Sequence, residues 1–154
     1  MLPETDIRQI GILGDGCAAM SLAARADELP GFRVTIYQPD DRPAPADHIW
    51  GFWTAPHLER AAKLAFASWQ NWKIVSENGA VTMTAQARPY HAMRRSTWMA
   101  HCHDAAKAAK VGYHSLPPRS NDPATIFLDS RPPKVPTGMM LQHFLGLEVR
   151  AMDP

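Results

Sequence analysis

Apolar and polar positions along the chain follow two different periods. Ile7 to Leu13 is a short, nearly continuous apolar run, as in a buried strand. Gly14 to Ala19 is rich in small residues and reads as a turn. Ala18 to Leu29 is rich in Ala and Leu, predicts a helix, and is stopped by Pro30-Gly31. Phe32 to Gln38 alternates apolar and polar residues, the period of a strand. Strand, helix and strand within about thirty residues predict a right-handed βαβ unit with the helix packed on a parallel sheet.

Beyond a loop at Pro39 to Asp47 lies a dense aromatic stretch, His48-Ile-Trp-Gly-Phe-Trp53. Leu58 to Ala67 predicts a helix with Pro56 near its start. Trp72-Lys-Ile-Val-Ser and Val81-Thr-Met-Thr flank Asn78-Gly79, a pair that tolerates positive φ, and so predict a hairpin. Ala92 to Lys110 predicts a second long helix. Tyr113 to Leu116 and Ile126 to Asp129 predict short strands ended by Pro117-Pro118 and Pro132-Pro133. Leu141 to Arg150 suggests one more strand, with no closing helix after it. There is no internal repeat.

Composition narrows the class. The 154 residues fit one domain, and 45% hydrophobic content supplies a core. A net charge of +1 and the lack of a basic stripe argue against nucleic acid as a partner. Two cysteines make no disulfide framework and fit a reducing cytoplasm. The polar N-terminus is not a signal peptide, and no apolar run approaches the ~20 residues of a membrane span.

The turn itself carries the candidate chemistry. Gly14, Gly16 and Ala19 satisfy G-x-G-x-x-[G/A], with Asp15 and Ala18 at intervening positions. The first glycine permits a sharp bend, the second lets a diphosphate approach without a Cβ in the way, and the small third residue lets helix and strand pack closely. An anion there would meet free amides at a helix N-terminus. The same glycines also suit a purely structural turn. An acid that grips ribose hydroxyls is expected about 20 residues further on. Gln38 stands there instead and accepts a hydrogen bond without charge assistance. Asp40 and Asp41 read as solvated loop residues.

Three segments in order resemble the bacterial lycopene cyclase family, which is FAD-dependent. They are the glycine turn with its βαβ unit, Asp47-His-Ile-Trp-Gly-Phe-Trp53, and Phe127-Leu-Asp-Ser-Arg-Pro-Pro133 followed by Leu141-Gln-His-Phe-Leu-Gly-Leu-Glu-Val149. The resemblance implies an α/β fold: a Rossmann-like FAD-binding parallel sheet with a β-hairpin insertion, residues 1–154 forming the N-terminal part of a longer flavoprotein. It implies FAD as cofactor, NAD(P)H as its reductant and a lipophilic polyene as substrate. The reaction implied is closure of a ψ end group of lycopene, begun by protonation and without net redox change. Gly14, Asp15, Gly16, Ala18 and Ala19 map onto the diphosphate turn, Gln38 onto the ribose position, and His48, Trp50 and Phe52 onto the aromatic stretch. The family's acidic Phe-x-Glu-Glu-Thr-type motif has no counterpart here, so no catalytic residue is assigned. Other FAD-dependent oxidoreductases, such as monooxygenases or halogenases, share this domain. A non-catalytic remnant of the dinucleotide fold is a third reading. The expected location is cytoplasmic, with peripheral contact at the inner membrane.

Other positions have two readings each. Arg94-Arg95, at the start of the second long helix, is either a phosphate contact or a solvated pair. Asp129, at a strand end, either approaches the flavin or starts the turn before Pro132. The tryptophans line a polyene channel or fill the core. Cys17 is a small packing residue rather than a nucleophile. His101-Cys102-His103-Asp104 lacks metal-ligand spacing and reads as a polar helix face.

Overall fold

The computed structural model describes residues 7–41, 46–119 and 126–131. A four-stranded parallel sheet forms its base. Strand β1 (Arg8–Leu13) pairs with β2 (Phe32–Gln38) on one side and β9 (Ile126–Asp129) on the other, and β8 (Gly112–Ser115) extends the sheet beyond β2. The order is β8-β2-β1-β9, all parallel. This is the expected α/β, Rossmann-like arrangement. The chain leaves the centre at β1 in one direction and returns on its other flank at β9. Ligands of such sheets bind at that switch point, beyond the C-terminal strand ends.

Helices α1 (Cys17–Ala23) and α3 (Arg95–Ala108) pack together against this sheet. The core between them holds Ile10, Ile12, Met20, Val34, Ile36, Met99, Cys102 and Ala106. Small residues let the helices sit close: Ala19 and Ala23 of α1, and Cys102 and Ala106 of α3, are all fully buried. Tyr37 is also fully buried, with its ring tilted against Phe127 at 5.9 Å between centroids.

The long connection from β2 to α3 builds a second, antiparallel region. Strand β7 (Tyr90–Arg94) lies between β3 (Ile49–Trp53) and β4 (Ala67–Trp69), with α2 (Glu59–Lys63) in the connection from β3 to β4. A separate hairpin pairs β5 (Asn71–Ser76) with β6 (Gly79–Thr84). Its two-residue turn is Glu77-Asn78, one position earlier than the expected Asn78-Gly79, and Gly79, with φ +143°, opens β6 opposite Ser76.

Several expected elements come out shorter or change type. The first helix stops at Ala23, and a 3-10 turn at Ala26–Glu28 replaces its remainder. The helix expected over 58–67 is a 3-10 turn (Pro56–Leu58) plus the brief α2, and residue 67 already belongs to β4. The second long helix starts at Arg95 rather than Ala92. His91, Ala92 and Met93 are buried in the central strand of the small sheet, where pairing on both edges outweighs alanine's helix preference. The stretch 141–150 lies outside the described residues.

Candidate functional site

The C-terminal edge of the parallel sheet gathers residues far apart in sequence. The Gly14 amide donates to the Tyr37 carbonyl at 2.8 Å, and the Ser130 amide donates to the Leu13 carbonyl at 3.0 Å. The Leu116 amide donates to the Gln38 carbonyl at 2.9 Å. The glycine turn, Gln38 and the Asp129–Arg131 corner therefore stand along one edge, on the side where α1 begins.

Each glycine of the turn has a different duty. Gly14 has φ +102°, which disfavours a side chain, and a Cβ there would come within 2.8 Å of the Ser130 hydroxyl. Gly16 precedes the first residue of α1, and its carbonyl accepts from the Met20 amide at 3.0 Å. Among the described residues, and apart from its chain neighbours, no atom lies within 4 Å of where a Gly16 Cβ would be. The described residues leave that space open, so none of them requires a glycine here for packing. Ala19 is buried against the sheet, as the small third position requires, and Ala18 is exposed. Asp15 is buried within the turn.

Around this edge the polar residues take up local partners. Asp129 is held by Arg131, whose guanidinium donates at 2.8 Å and 2.7 Å and whose amide donates at 3.1 Å. Those bonds from the Arg131 side chain, then its amide, pull the Asp129 carboxyl down to about 2. Asp129 thus organises the corner that backs Gly14. Asp40, expected as a solvated loop residue, accepts from the Ser115 hydroxyl at 2.5 Å and so ties the loop after Gln38 to β8.

The aromatic stretch sits beside the turn. Antiparallel register puts Trp50 opposite Met93 and Phe52 opposite His91, so these four share one face of the small sheet. That face borders a cavity of ≈ 210 Å³ lined by Cys17, Ser21, Trp50, Phe52, Met93 and Trp98. The cavity reaches Cys17, the residue directly after Gly16. A larger cavity of ≈ 480 Å³ shares Ser21, Leu58 and Trp98 with it and opens toward Arg25, Arg60 and His101. Ser21 sits at the junction, accepting from the Trp98 indole at 2.9 Å, with the Cys17 sulfur 3.9 Å away. Burial pushes the Cys102 thiol up to about 11, which leaves it inert.

His48 packs its ring edge-on against Trp50 at 5.8 Å, and its carbonyl accepts from the Arg95 amide. Arg95 opens α3. Asp47, which opens the Asp47–Trp53 stretch and had no role of its own in the sequence, caps that helix: the Ser96 amide donates to it at 2.8 Å and the Ser96 hydroxyl at 2.9 Å. The backbone bond from Ser96 is the main cause holding the Asp47 carboxyl below its ordinary value. Arg94 stands 4.0 Å from Asp47 and lies over the Phe66 ring, so it serves the fold at this place.

His91 was also missed by the sequence. It is buried, stacked on Phe52 at 5.3 Å, and Nε2 is 2.8 Å from the Thr54 hydroxyl. Its Nδ1 has no hydrogen-bond partner among the described residues. Period-2 alternation with Met93 was the available signal, obscured by the alanines that follow. Among the described residues no group of His, Cys, Asp or Glu is placed to hold a metal.

A sequence profile described as lycopene cyclase protein matches residues 9–116, well over half of the chain. The chain belongs to the lycopene cyclase family. The matched span includes the glycine turn and the aromatic stretch. The segments at 127–133 and 141–149 lie beyond it. No match was found among curated protein sequences. Among solved structures, the chain is similar to a single-site mutant of 2-methyl-3-hydroxypyridine-5-carboxylic acid oxygenase, with TM-score 0.53 and 19% identity over 70% of this chain and 31% of that one. The tetrameric form of that oxygenase gives TM-score 0.51 at the same identity and coverage. CtdE in complex with FAD and a substrate gives 0.49 at 17% identity, over 70% of this chain and 30% of that one. The chain spans less than a third of these proteins. This member of the lycopene cyclase family thus shares the Rossmann-like fold of that oxygenase.

Proposed function

We propose that the protein binds FAD by its diphosphate at the Gly14–Ala19 turn and serves proton-initiated closure of a ψ end group of lycopene, with NAD(P)H as reductant of the flavin. The observation that carries the reading is Gly16. At the head of α1 a Cβ direction is open to space, in a turn whose partner Gly14 adopts φ +102°. A glycine where the described residues leave the Cβ space open suits a ligand that must approach the backbone.

The turn amides would hold the diphosphate, the Gln38 amide oxygen the ribose, and Arg95 and Asp129 would flank the cofactor. A reduced flavin held there would supply electron density to a cationic reaction without net redox change. The chain's own contribution is the cavity next to the turn. Trp50, Phe52, Met93 and Trp98 offer apolar walls that would exclude water from a polyene end, and the rings of Trp50, Phe52 and Trp98 would offer π faces to positive charge.

The purified protein should carry FAD, seen as flavin absorbance that co-elutes with it. Gly16→Val should remove that flavin and leave the circular dichroism unchanged, because the new side chain meets only the ligand. Full flavin content in Gly16→Val, or no flavin uptake by the parent, would overturn the cradle. Conversion of lycopene in a pigment-producing host separates the cyclase from other FAD-dependent enzymes.

A further inference from the structure

The rings of the small sheet divide between its two faces. Trp53 and Trp69 flank Tyr90 on one, at 4.9 Å and 6.4 Å between centroids. Trp50 and Phe52 stand on the other, beside the cavity that reaches the glycine turn. That cavity is only part of the space on this side. Cys17 and Ser21 border it, while Ser21, Ala24 and Arg25 border the larger cavity of ≈ 480 Å³. Offsets of four, seven and eight residues from Cys17 keep to one face of α1 and the turn after it. The two cavities therefore form one groove along that face, about 12 Å from Cys17 to Arg25 at about 1.5 Å per residue.

The opposite wall is Trp98 of α3 and Leu58 of the 3-10 turn before α2, each of which borders both cavities. Trp98 is thus the waist of the groove. Two contacts fix its indole: it donates to the Ser21 hydroxyl at 2.9 Å and lies 5.5 Å from the His101 ring. A ring already held in place offers an apolar surface without further loss of side-chain freedom. Past the waist the walls include Leu22, Ala24 and Pro56. At the outer end Glu28 accepts from Arg25 at 2.8 Å and from Arg60 at 2.9 Å, a clasp that ties the 3-10 turn after α1 to α2. Among the described residues the two guanidiniums at the mouth are matched by two carboxylates, Glu28 and Glu59. The mouth therefore has no net pull on an anion. A narrow apolar groove with a balanced rim suits a neutral, linear hydrocarbon chain.

We propose that the larger cavity is the subsite for the acyclic chain of the polyene, and that Trp98 is a specificity-determining residue that guides this chain into the inner cavity. The inference rests on the reading that the end group sits beside Cys17, and adds the route of the rest of the molecule. The groove is far shorter than an extended lycopene molecule. The far end of the chain therefore stays outside the mouth at Arg25 and Arg60, and each binding event presents a single end group.

The test uses the full chain and the neutral methyl ester of parinaric acid, a linear conjugated tetraene whose emission rises when it leaves water. The ester should bind saturably and be displaced by lycopene in detergent micelles. Leu58→Trp fills the waist and should weaken binding by about tenfold or more. Ser21→Ala removes the partner of the indole and should weaken it by about three- to tenfold, with circular dichroism unchanged. Trp98→Ala should weaken it and Trp98→Phe should recover most of the loss, which keeps the test decisive if Leu58→Trp folds poorly. Gly16→Val should lose flavin and still bind the ester, so failure of the cradle is distinguishable from failure of the groove. Displacement by lycopene in a protein that does not convert lycopene would count against the proposed reaction and support the groove. No saturable binding, equal binding by the parent, Leu58→Trp and Trp98→Ala, or a tetraene that lycopene fails to displace overturns the proposal. So does tighter binding of the free acid than of the ester, which would give the groove to an anionic lipid.

Discussion

In the parallel sheet and its two helices, Ile12, Met20, Ile36, Tyr37 and Cys102 are almost completely removed from solvent. In the hairpin over 71–84 only Trp72 is even partly covered. Both regions have strand-forming sequences and paired strands. They differ in what lies on their faces. The parallel sheet has helices on it, and hydrophobic burial there sets the stability of the molecule. The hairpin gives up that stabilisation, and its apolar residues remain available for another surface. A core substitution and a hairpin substitution should therefore have very different effects.

The largest effect on stability is expected at Met20, fully buried between α1 and the sheet. Met20→Ala should cost about 2–5 kcal/mol in chemical denaturation, through lost burial and the cavity left behind. A loss under 1 kcal/mol, by the same ~1 kcal/mol-scale reckoning, would mean that the two helices are not packed as described. Next comes Gly14→Ala, which forces a side chain into φ +102° and against Ser130. It should cost about 1–3 kcal/mol, whereas Gly16→Ala, with open space around it, should change thermal stability far less. Equal effects at the two glycines would remove the distinction drawn between them.

Acid should act at the edges of the parallel region. Asp129 has a folded-state pKa depressed from 3.8 to about 2 by Arg131, and Asp47 is depressed by Ser96. Groups of this sign stabilise the fold above their ordinary pKa, and the contribution is lost as pH falls through the folded value. Stability should therefore decline below about pH 4. Asp47→Asn combined with Asp129→Asn should flatten part of that decline in an acid titration followed by circular dichroism. The smallest effect belongs to the hairpin. Ile74→Thr and Val81→Thr should each change unfolding free energy by less than about 0.5 kcal/mol, since neither is packed. A larger loss would show that the face is covered in solution.

The sequence made the parallel region legible because its signals agree. The Ile7–Leu13 run, the glycine turn and the alternation over Phe32–Gln38 each point to the same βαβ unit, and β2 matches its expected bounds. The antiparallel region was legible only near Asn78-Gly79, where a turn has a chemical signature. Ala92 and Met93 read as the start of a helix because residue preference is local. Their strand state comes from pairing far along the chain: Ala92 with Gly51 and Ala67, and Met93 with Trp50. The site followed the same division. The cradle glycines follow from a spacing rule, but the Asp47 cap on Ser96 and the buried His91 depend on contacts across the fold that no spacing encodes.

Gly51, on the edge strand β3, leaves its outer face bare, and a Cβ added there would coincide with the Tyr90 hydroxyl. The phenol roofs the edge where a side chain is missing, a known way to shelter a strand glycine. Any larger residue at 51 would lever Tyr90 off its seat and scatter the neighbouring indoles. One absent methyl group thus decides the shape of an entire aromatic outcrop.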